Sequence, residues 1–172
     1  MDIKSKIRVI EDYPAKGISF KDITTLIHDK EAFNYTIDLL AEKVKDYDFD
    51  YVVAIEARGF IFGSALSYKL NKGLVLVRKP GKLPFDTIKE SYELEYGTDS
   101  IEMHADSLKK GDKVLIIDDL LATGGTSLAC AKLVEKAGAT VSAIEFIVEL
   151  ESLKARDLLK DYNVVTLEKY DH

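Results

Sequence analysis

The sequence is poor in cysteine and in long apolar runs. Among its 172 residues there is one cysteine, Cys130, so no intramolecular disulfide can form and a reducing compartment is expected. We predict that Cys130 is a small buried apolar residue rather than a nucleophile. The first residues lack the apolar stretch of a signal peptide, and no stretch is long enough to span a membrane. A cytoplasmic location is therefore expected, without a membrane partner.

Positive charge is also scarce. The chain has 24 Lys and Arg against 30 Asp and Glu, which gives a net charge of -6. This balance argues against general nucleic-acid binding, which needs a basic face, so no nucleic-acid partner is predicted. An anionic small ligand would have to meet a local cluster of positive charge. His28, His104 and His172 do not show metal-ligand spacing, and no residue is predicted to bind a metal directly.

What the sequence does contain is a regular alternation of apolar strands and amphipathic helices. Its length suits one domain, residues 1–172. Predicted strands cover residues 51–55, 74–77, 114–117, 141–148 and 164–167, and predicted helices cover residues 33–44, 61–70, 128–137 and 153–159. Gly73 and Gly138 are predicted to end the second and third helices, and Ser152 to cap the fourth. The pattern predicts an α/β fold, a central parallel sheet flanked by helices.

Two segments depart from this alternation. Ile3, Ile7 and Ile10 fall at helical spacing, which predicts a short amphipathic helix at the start of the chain, whereas residues 18–23 are predicted to be extended. The pattern of residues 84–103 predicts a mobile loop, which includes residues 85–90, and then a β-hairpin that projects from the parallel sheet. Because long loops inside compact domains are often functional, we interpret this segment as a lid over a site.

The central motif spans residues 114–127, with the sequence VLIIDDLLATGGTS. Four branched apolar residues predict a strand buried on both faces, which ends at Asp118 and Asp119 and is followed by a loop and a helix. In such a unit the loop amides and the helix N-terminus favour an anion at one spot. We call the loop residues the phosphate cradle; they are Ala122, Thr123, Gly124, Gly125 and Thr126.

The two acids before the phosphate cradle need a different partner. Asp118 and Asp119 would repel a bare phosphate, so we predict that they accept hydrogen bonds from sugar hydroxyls, directly or through a divalent cation and its waters. A ligand with an anionic group and neighbouring hydroxyls fits such a site, and a ribose 5-phosphate has both. Two other phosphate loops are excluded, because the chain has neither the Gly-Lys-Ser/Thr of a P-loop nor a GxGxxG after its first strand.

Positive charge follows two other predicted strands. Arg58 stands before a glycine at the end of strand 51–55, an arrangement suited to an oxyanion. Strand 74–77 leads to Arg78, Lys79 and Lys82 on a loop with two prolines. Surface cations are the alternative interpretation for both groups. Because the carboxyl ends of parallel strands meet at one edge of the sheet, we instead predict a second anion site there.

The central motif resembles the phosphoribosyl-diphosphate binding motif of the type I phosphoribosyltransferase family. Its sequence Asp-Asp-Leu-Leu-Ala-Thr-Gly-Gly-Thr resembles that of the adenine-specific members. Members that act on uracil carry Pro after the first Asp, and members that act on hypoxanthine and guanine carry an acid where this chain has Ala122. The resemblance continues through residues 13–22, 56–63, 78–84, 92–97 and 148–153, and so covers nearly the whole chain.

The resemblance implies a reaction and a division of roles. The phosphoribosyl group of 5-phosphoribosyl 1-diphosphate would be transferred to adenine in purine salvage, with AMP and diphosphate as products. The phosphate cradle would hold the 5-phosphate, and Asp118 and Asp119 the ribose hydroxyls. Arg58, Arg78 and Lys82 would hold the pyrophosphate together with Mg²⁺, which is bound through the substrate and waters near Asp118. A cis peptide before Ala57 and a homodimer, with loop 78–82 near the neighbour's site, are also implied.

The resemblance places adenine between two segments. Residues 1–30 would form a hood on the base side, where backbone groups near Ser19 and Phe20 read the base; Ser19 replaces a larger apolar residue of the family. The flexible loop and hairpin, residues 79–104, would cover the base with Tyr96. Glu95 is the candidate for proton transfer on the purine, since Ala122 cannot supply an acid.

Two alternatives stay open. One is a phosphoribosyltransferase for another base, such as uracil or hypoxanthine, against which Asp119 and Ala122 argue. The other is a non-catalytic regulator that senses the ribosyl diphosphate. Regulators of that kind usually add a DNA-binding helical domain, and the N-terminal stretch is too short and insufficiently basic to be one.

Overall fold

The computed structural model describes residues 1–94 and 96–172. Its strands are β1 (Arg8–Glu11), β2 (Ser19–Asp22), β3 (Tyr51–Ile55), β4 (Gly73–Val77), β5 (Thr87–Glu93), β6 (Thr98–His104), β7 (Lys113–Leu121), β8 (Thr140–Leu150) and β9 (Val164–Tyr170). Its α-helices are α1 (Thr24–His28), α2 (Lys30–Lys43), α3 (Arg58–Leu70), α4 (Gly125–Lys136) and α5 (Ala155–Leu158). No helix in this part of the chain is both long and apolar enough to cross a membrane.

The centre of the fold is a five-stranded parallel sheet in the order β4-β3-β7-β8-β9. Helices α2 and α3 cover one face and α4 covers the other, which confirms the predicted α/β architecture. Strand β7 is buried on both faces, as its apolar run predicts. Strand β4 is a similar apolar run, but its Leu74 and Leu76 are partly exposed because β4 lies at the edge of the sheet.

A glycine sets how closely α3 approaches the sheet. A Cβ added at Gly63 would lie 2.6 Å from the Cβ of Ala54 and 3.1 Å from Cγ2 of Ile117, so a larger residue would push the helix away from β3 and β7. The close approach also brings the first turn of α3 beside the end of β7. That end of β7 carries Asp118 and Asp119, which we call the acid pair.

Strands β5 and β6 form the predicted hairpin, but the hairpin is longer and better anchored than predicted. Residues 87–90, predicted to lie in the mobile loop, belong to β5 because they pair with residues 101–104. Ile101 and Met103 are buried in the core that also contains α4. Backbone hydrogen bonds between Arg78 and Glu102, of 2.9 and 2.7 Å, join the hairpin to the end of β4.

The predicted N-terminal helix is wrong. Ile3 and Ile7 are buried, but after a 3₁₀ turn at Lys4–Lys6 the chain extends as β1 and pairs with β2. Three isoleucines at helical spacing are a weak indication of a helix, because β-branched side chains also favour extended backbone. Here the pairing with β2 satisfies the backbone hydrogen bonds of that extended segment. The extended segment predicted at residues 18–23 is confirmed as β2.

The ends of two other helices differ from the prediction. Asn71, not Gly73, takes the left-handed cap after α3 (φ 55°), and Gly73 opens β4. The helix predicted at residues 153–159 is reduced to α5, because a 3₁₀ turn and the left-handed Lys154 (φ 54°) precede it and Ser152 does not cap it. Gly138 (φ 89°) does follow the end of α4 as predicted.

Cys130 lies in α4 and is fully buried. Burial raises the pKa of its thiol above the ordinary value. A buried, protonated thiol is a poor nucleophile, which agrees with the prediction of a packing role.

Candidate active site

Three loops meet at the carboxyl edge of the parallel sheet. They follow β3, β4 and β7, which are neighbours in the strand order, so the segments that sequence reasoning singled out lie side by side. Open α/β sheets bind their ligands at this edge. The site is therefore built from the phosphate cradle, the start of α3 and the loop after β4.

The phosphate cradle borders a small pocket of about 80 Å³. The pocket is lined by Asp118, Leu120, Leu121, Ala122, Thr123, Gly124, Thr126, Ser127 and Phe146. Since one water occupies about 30 Å³ in the liquid, the pocket admits a group of only a few heavy atoms. The structure thus gathers four of the five cradle residues around one pocket, and the fifth, Gly125, begins α4.

The backbone of the phosphate cradle suits an anion. Gly124 caps the N-terminus of α4 in the left-handed conformation (φ 91°), and in the described residues no side chain accepts a hydrogen bond from the first turn of this helix. A Cβ at Gly124 would lie 3.2 Å from the Cβ of Ala155, so both conformation and space favour glycine here. Free N–H groups at the start of a twelve-residue helix attract a phosphate.

The acid pair lies next to the phosphate cradle, at the end of β7. Asp119 is 6% exposed and its backbone N–H donates to Oδ1 of Asp118 (2.8 Å). Burial, together with the negative charge of Asp119, holds the pKa of Asp118 well above its ordinary value. The two carboxyl groups thus have different environments, and Asp118 is the one that lacks a cationic side chain as a hydrogen-bond partner in the described structure.

Arg58 neutralises the other acid. Its Nε donates to Oδ2 of Asp119 at 2.6 Å, and its side chain is 50% exposed. The peptide between Glu56 and Ala57 is cis, as the family resemblance implies. A Cβ at the following Gly59 would lie 3.0 Å from Oδ1 of Asp118, so glycine is needed where α3 passes the acid pair.

The three cationic side chains of the loop after β4 lie in three different environments. Nε of Arg78 lies 3.3 Å from Oε1 of Glu56, which also accepts a hydrogen bond from the backbone N–H of Lys79 (2.6 Å). The ammonium group of Lys79 pairs with Asp99 on the hairpin rather than facing the acid pair. Lys82 is exposed and makes no ion pair within residues 1–94 and 96–172.

The residues predicted on the base side do not line the cradle pocket. Ser19 Oγ accepts from the ammonium of Lys21 (2.6 Å), and the ring of Phe20 packs edge-on against Tyr13 at 5.2 Å between centroids. Tyr96 is 88% exposed near the tip of the hairpin. Glu95, the predicted proton-transfer residue, lies outside the described residues.

Sequence reasoning missed a polar contact between the hairpin and the phosphate cradle. The hydroxyl of Tyr92 on β5 accepts a hydrogen bond from the hydroxyl of Thr126 (3.2 Å), and Asp99 and Lys79 also contact it. In the sequence, Tyr92 and Leu94 alternate with Glu93, which indicates only that the two apolar side chains share a face of an extended segment. The Tyr92–Thr126 contact spans 34 positions in the sequence, and no local pattern marks it.

Comparison with known proteins agrees with this geometry. Residues 24–172 match the family described as Phosphoribosyl transferase domain. An adenine phosphoribosyltransferase from Thermosipho africanus is 60% identical over 97% of this chain and 98% of its own length. One from Clostridium kluyveri is 53% identical over 99% of each chain.

Solved structures give the same result. The adenine phosphoribosyltransferase from Thermoanaerobacter pseudethanolicus has a TM-score of 0.95 and 53% identity, with 98% of each chain covered. That from Saccharomyces cerevisiae, complexed with an imino-altritol bisphosphate and adenine, has a TM-score of 0.90 and 37% identity, with 96% of each chain covered. With this agreement over nearly its full length, the chain belongs to the adenine phosphoribosyltransferase family.

Proposed function

We propose that this protein transfers the phosphoribosyl group of 5-phospho-α-D-ribose 1-diphosphate to adenine, giving AMP and diphosphate. The observation that carries the proposal is the phosphate cradle beside the acid pair, at the edge of the sheet where Arg58 and Arg78 also lie. An anion site next to two carboxyl groups fits a phosphorylated sugar with free hydroxyls. We infer adenine as the base because the relatives are adenine phosphoribosyltransferases, one of which is complexed with adenine.

The charges at the site suit the departure of diphosphate. When the bond to the anomeric carbon breaks, positive charge grows on the ribose and negative charge on the leaving group. Asp118 and Asp119 would hold the ribose hydroxyls on the positive side, and Arg58, Arg78 and Lys82 would bind the diphosphate. Arg58 uses only Nε on Asp119, so its terminal nitrogens are free to donate to a phosphate in the described structure.

Alignment of the reacting carbon would come from the distant end of the substrate. The amides of the phosphate cradle and the hydroxyls of Thr123 and Thr126 bind a group that does not react. Binding energy gained there holds the anomeric carbon in place for attack by the base.

We infer that Mg²⁺ enters with the substrate. The described residues contain no group of three or more His, Cys, Asp or Glu that could hold a metal ion. The carboxylates of the acid pair are hard oxygen donors, which fit an ion that keeps several waters and binds substrate oxygens. When bound, Mg²⁺ would neutralise negative charge on the diphosphate. Asp118 is the residue best placed to contact its waters, because Asp119 is paired with Arg58.

For the base side we propose the hood, residues 1–30, and the hairpin region, residues 79–104. Backbone groups near Ser19 and Phe20 would read adenine, and Tyr96 would cover it. Glu95 would move the proton on the purine imidazole ring, which is worth about 10²- to 10⁴-fold in rate for general acid-base catalysis. Exposure of Tyr96 suits a residue that gains its contacts only when substrate binds.

We also propose a cytoplasmic homodimer. The single cysteine supports a reducing compartment. Partly exposed Leu74 and Leu76 on the edge strand β4, next to loop 78–82, support a contact with a second copy. Light scattering should give twice the chain mass, and Leu76→Glu should shift it toward the monomer. A monomer at every concentration would contradict the dimer.

The function is tested with a panel of bases. The protein is incubated with the ribosyl diphosphate, Mg²⁺ and adenine, hypoxanthine, guanine or uracil, and the nucleotide is identified by mass. We expect AMP. Another nucleotide would replace the proposed base, and no nucleotide despite binding of the ribosyl diphosphate would favour a sensor.

The role of Glu95 has its own test. Glu95→Gln should slow single-turnover formation of AMP by about 10²-fold or more. Glu93→Gln, which changes an exposed glutamate two residues away, is the matched control and should keep the wild-type rate. Equal rates for the two variants would remove Glu95 from the reaction.

A further inference from the structure

The hydroxyl of Tyr92 has all its hydrogen-bonding capacity in use. It accepts from the hydroxyl of Thr126 and from the ammonium of Lys79, each at 3.2 Å, and it donates to Oδ2 of Asp99, also at 3.2 Å. A phenol has one proton and two lone pairs, so these three contacts saturate it. Thr126 belongs to the phosphate cradle, whereas the other partners lie on the hairpin and in the loop after β4.

The charged members fix the direction of these hydrogen bonds. The ammonium of Lys79 can only donate, and the carboxylate of Asp99 can only accept. The hydrogen bond from Lys79 holds the pKa of Asp99 below its ordinary value, so this group is a carboxylate at neutral pH. The proton of Tyr92 is thus held by Asp99, and toward Thr126 the phenol oxygen can only accept.

The hydroxyl of Thr126 therefore has two alternative hydrogen-bond acceptors. Its single hydroxyl proton goes either to Tyr92 or to a phosphate oxygen in the pocket that Thr126 lines, but not to both. The ring of Tyr92 also packs near the start of α4, where its Cδ2 would lie 3.6 Å from a Cβ on Gly125. The competition concerns the hydroxyl group alone.

We propose that Tyr92 is a positioning residue of the 5-phosphate site: it accepts a hydrogen bond from the Thr126 hydroxyl, and a bound phosphate accepts that hydrogen bond in its place. Each phosphate must then displace one protein hydrogen bond, and its binding loosens β5 from the start of α4. The inference rests on the proposed function for the identity of the phosphate. It adds that the affinity for every ligand with a 5-phosphate is lowered by this contact.

The test compares Tyr92→Phe with the wild type in titrations with ribose 5-phosphate. Removal of a competing neutral hydrogen bond should tighten binding about twofold to tenfold. The dissociation constant of AMP should fall by the same factor, because AMP carries the same phosphate, while the KM of adenine should not change. Tyr162→Phe, which removes a hydroxyl that donates to Glu135 near the other end of α4, is the matched control.

Two further measurements separate competition from a general structural effect. In a Thr126→Val background, Tyr92→Phe should no longer alter ribose 5-phosphate affinity. Amide exchange of residues 87–93 should increase when ribose 5-phosphate is added to the wild type, and Tyr92→Phe should show the higher exchange already without ligand.

The outcomes distinguish the two proposals. Unchanged or weaker binding of ribose 5-phosphate by Tyr92→Phe overturns the role of Tyr92 and leaves the proposed function intact. Tighter binding by Tyr92→Phe in an enzyme that forms no AMP supports the role of Tyr92 and removes the proposed function. A wild type that does not bind ribose 5-phosphate overturns both.

Discussion

Arg58 and Asp119 are joined by a hydrogen bond of 2.6 Å between Nε and Oδ2, although 61 positions separate them in the sequence. Asp119 is buried and Arg58 is half exposed, so the arginine neutralises the acid from the solvent side. The pair links the end of β7 to the start of α3. It therefore fixes the relative position of two of the three loops that form the site.

The first prediction concerns this pair. Arg58→Gln leaves Asp119 buried without a cationic partner, and it removes donors proposed to bind the diphosphate. We expect a loss of about 1–2 kcal/mol in the free energy of unfolding, less than for a fully buried pair because Arg58 is half exposed. The rate of AMP formation should fall about 10²- to 10³-fold. Urea unfolding and steady-state kinetics measure the two effects.

Lys45→Gln provides the control for the Arg58 variant. It breaks a pair with Glu42 in which both side chains are about 60% exposed, and it lies outside the site. Neither unfolding nor the rate of AMP formation should change measurably. If Arg58→Gln behaves like Lys45→Gln, the Arg58–Asp119 pair has no part in stability or catalysis.

A second prediction concerns space beside Asp118. Gly59→Ala places a Cβ 3.0 Å from Oδ1 of Asp118 and 3.2 Å from the carbonyl oxygen of Ile117, so the carboxyl group has to move. Displacement of an acid that holds ribose hydroxyls should weaken binding of ribose 5-phosphate about tenfold or more, as expected for a hydrogen bond to a charged group. Ser64→Ala, on the exposed side of the same helix, should leave the affinity unchanged. Equal affinities for both variants would show that Asp118 does not contact the sugar.

Gly124 and Gly111 allow a matched test of the phosphate cradle. Both take the left-handed conformation, at φ 91° and 92°, but an added Cβ meets Ala155 at Gly124 and nothing within 4 Å at Gly111. Each change to alanine should cost about 1 kcal/mol of stability through backbone strain. Only Gly124→Ala should also weaken ribose 5-phosphate binding, which calorimetric titration measures. Equal loss of affinity in both variants would separate the cradle from phosphate binding.

Glu145 gives a prediction about pH. It lies in β8, is fully buried, and neither carboxyl oxygen has a hydrogen-bond partner among the described residues. Burial raises its pKa to about 9 from the ordinary value of 4.5. The native state therefore binds a proton that the unfolded chain releases above pH 4.5, and stability falls as the pH rises from there toward 9.

Glu145→Met removes this titration. The wild type should lose up to about 1.4 kcal/mol of unfolding free energy per pH unit through this group, and the variant should not. Urea unfolding at pH values on either side of neutrality measures the difference. Glu42→Met, which changes a glutamate that is 63% exposed, should run parallel to the wild type. Parallel curves for Glu145→Met would mean that Glu145 is not protonated in the native state.

Most of the sheet could be predicted from the sequence because buried parallel strands are continuous apolar runs. Residues 114–117 have no polar side chain and residues 51–55 have only the phenol of Tyr51 at the start of the strand, so their position inside the sheet follows from composition. The prediction failed where spacing was ambiguous, as for Ile3, Ile7 and Ile10. There the backbone conformation is determined by hydrogen bonds to residues 19–22 in a hairpin, and no local sequence pattern indicates that pairing.

The sequence predicted which loops form the site, but not which side chains within it contact each other. Strand ends place Arg58, Arg78 and the acid pair at one edge of the sheet, which follows from parallel topology. Which cation pairs with which acid depends on how α3 and the hairpin dock. The sequence therefore could not indicate that Lys79 pairs with Asp99 or that Thr126 donates to Tyr92.

The most direct test is a crystal structure of the protein with AMP. We predict that the phosphate lies in the pocket of residues 122–126, within hydrogen-bond distance of the first amides of α4, and that the ribose hydroxyls contact Asp118 or Asp119. A phosphate bound elsewhere, with the amides at the start of α4 left to water, would contradict the account of the site.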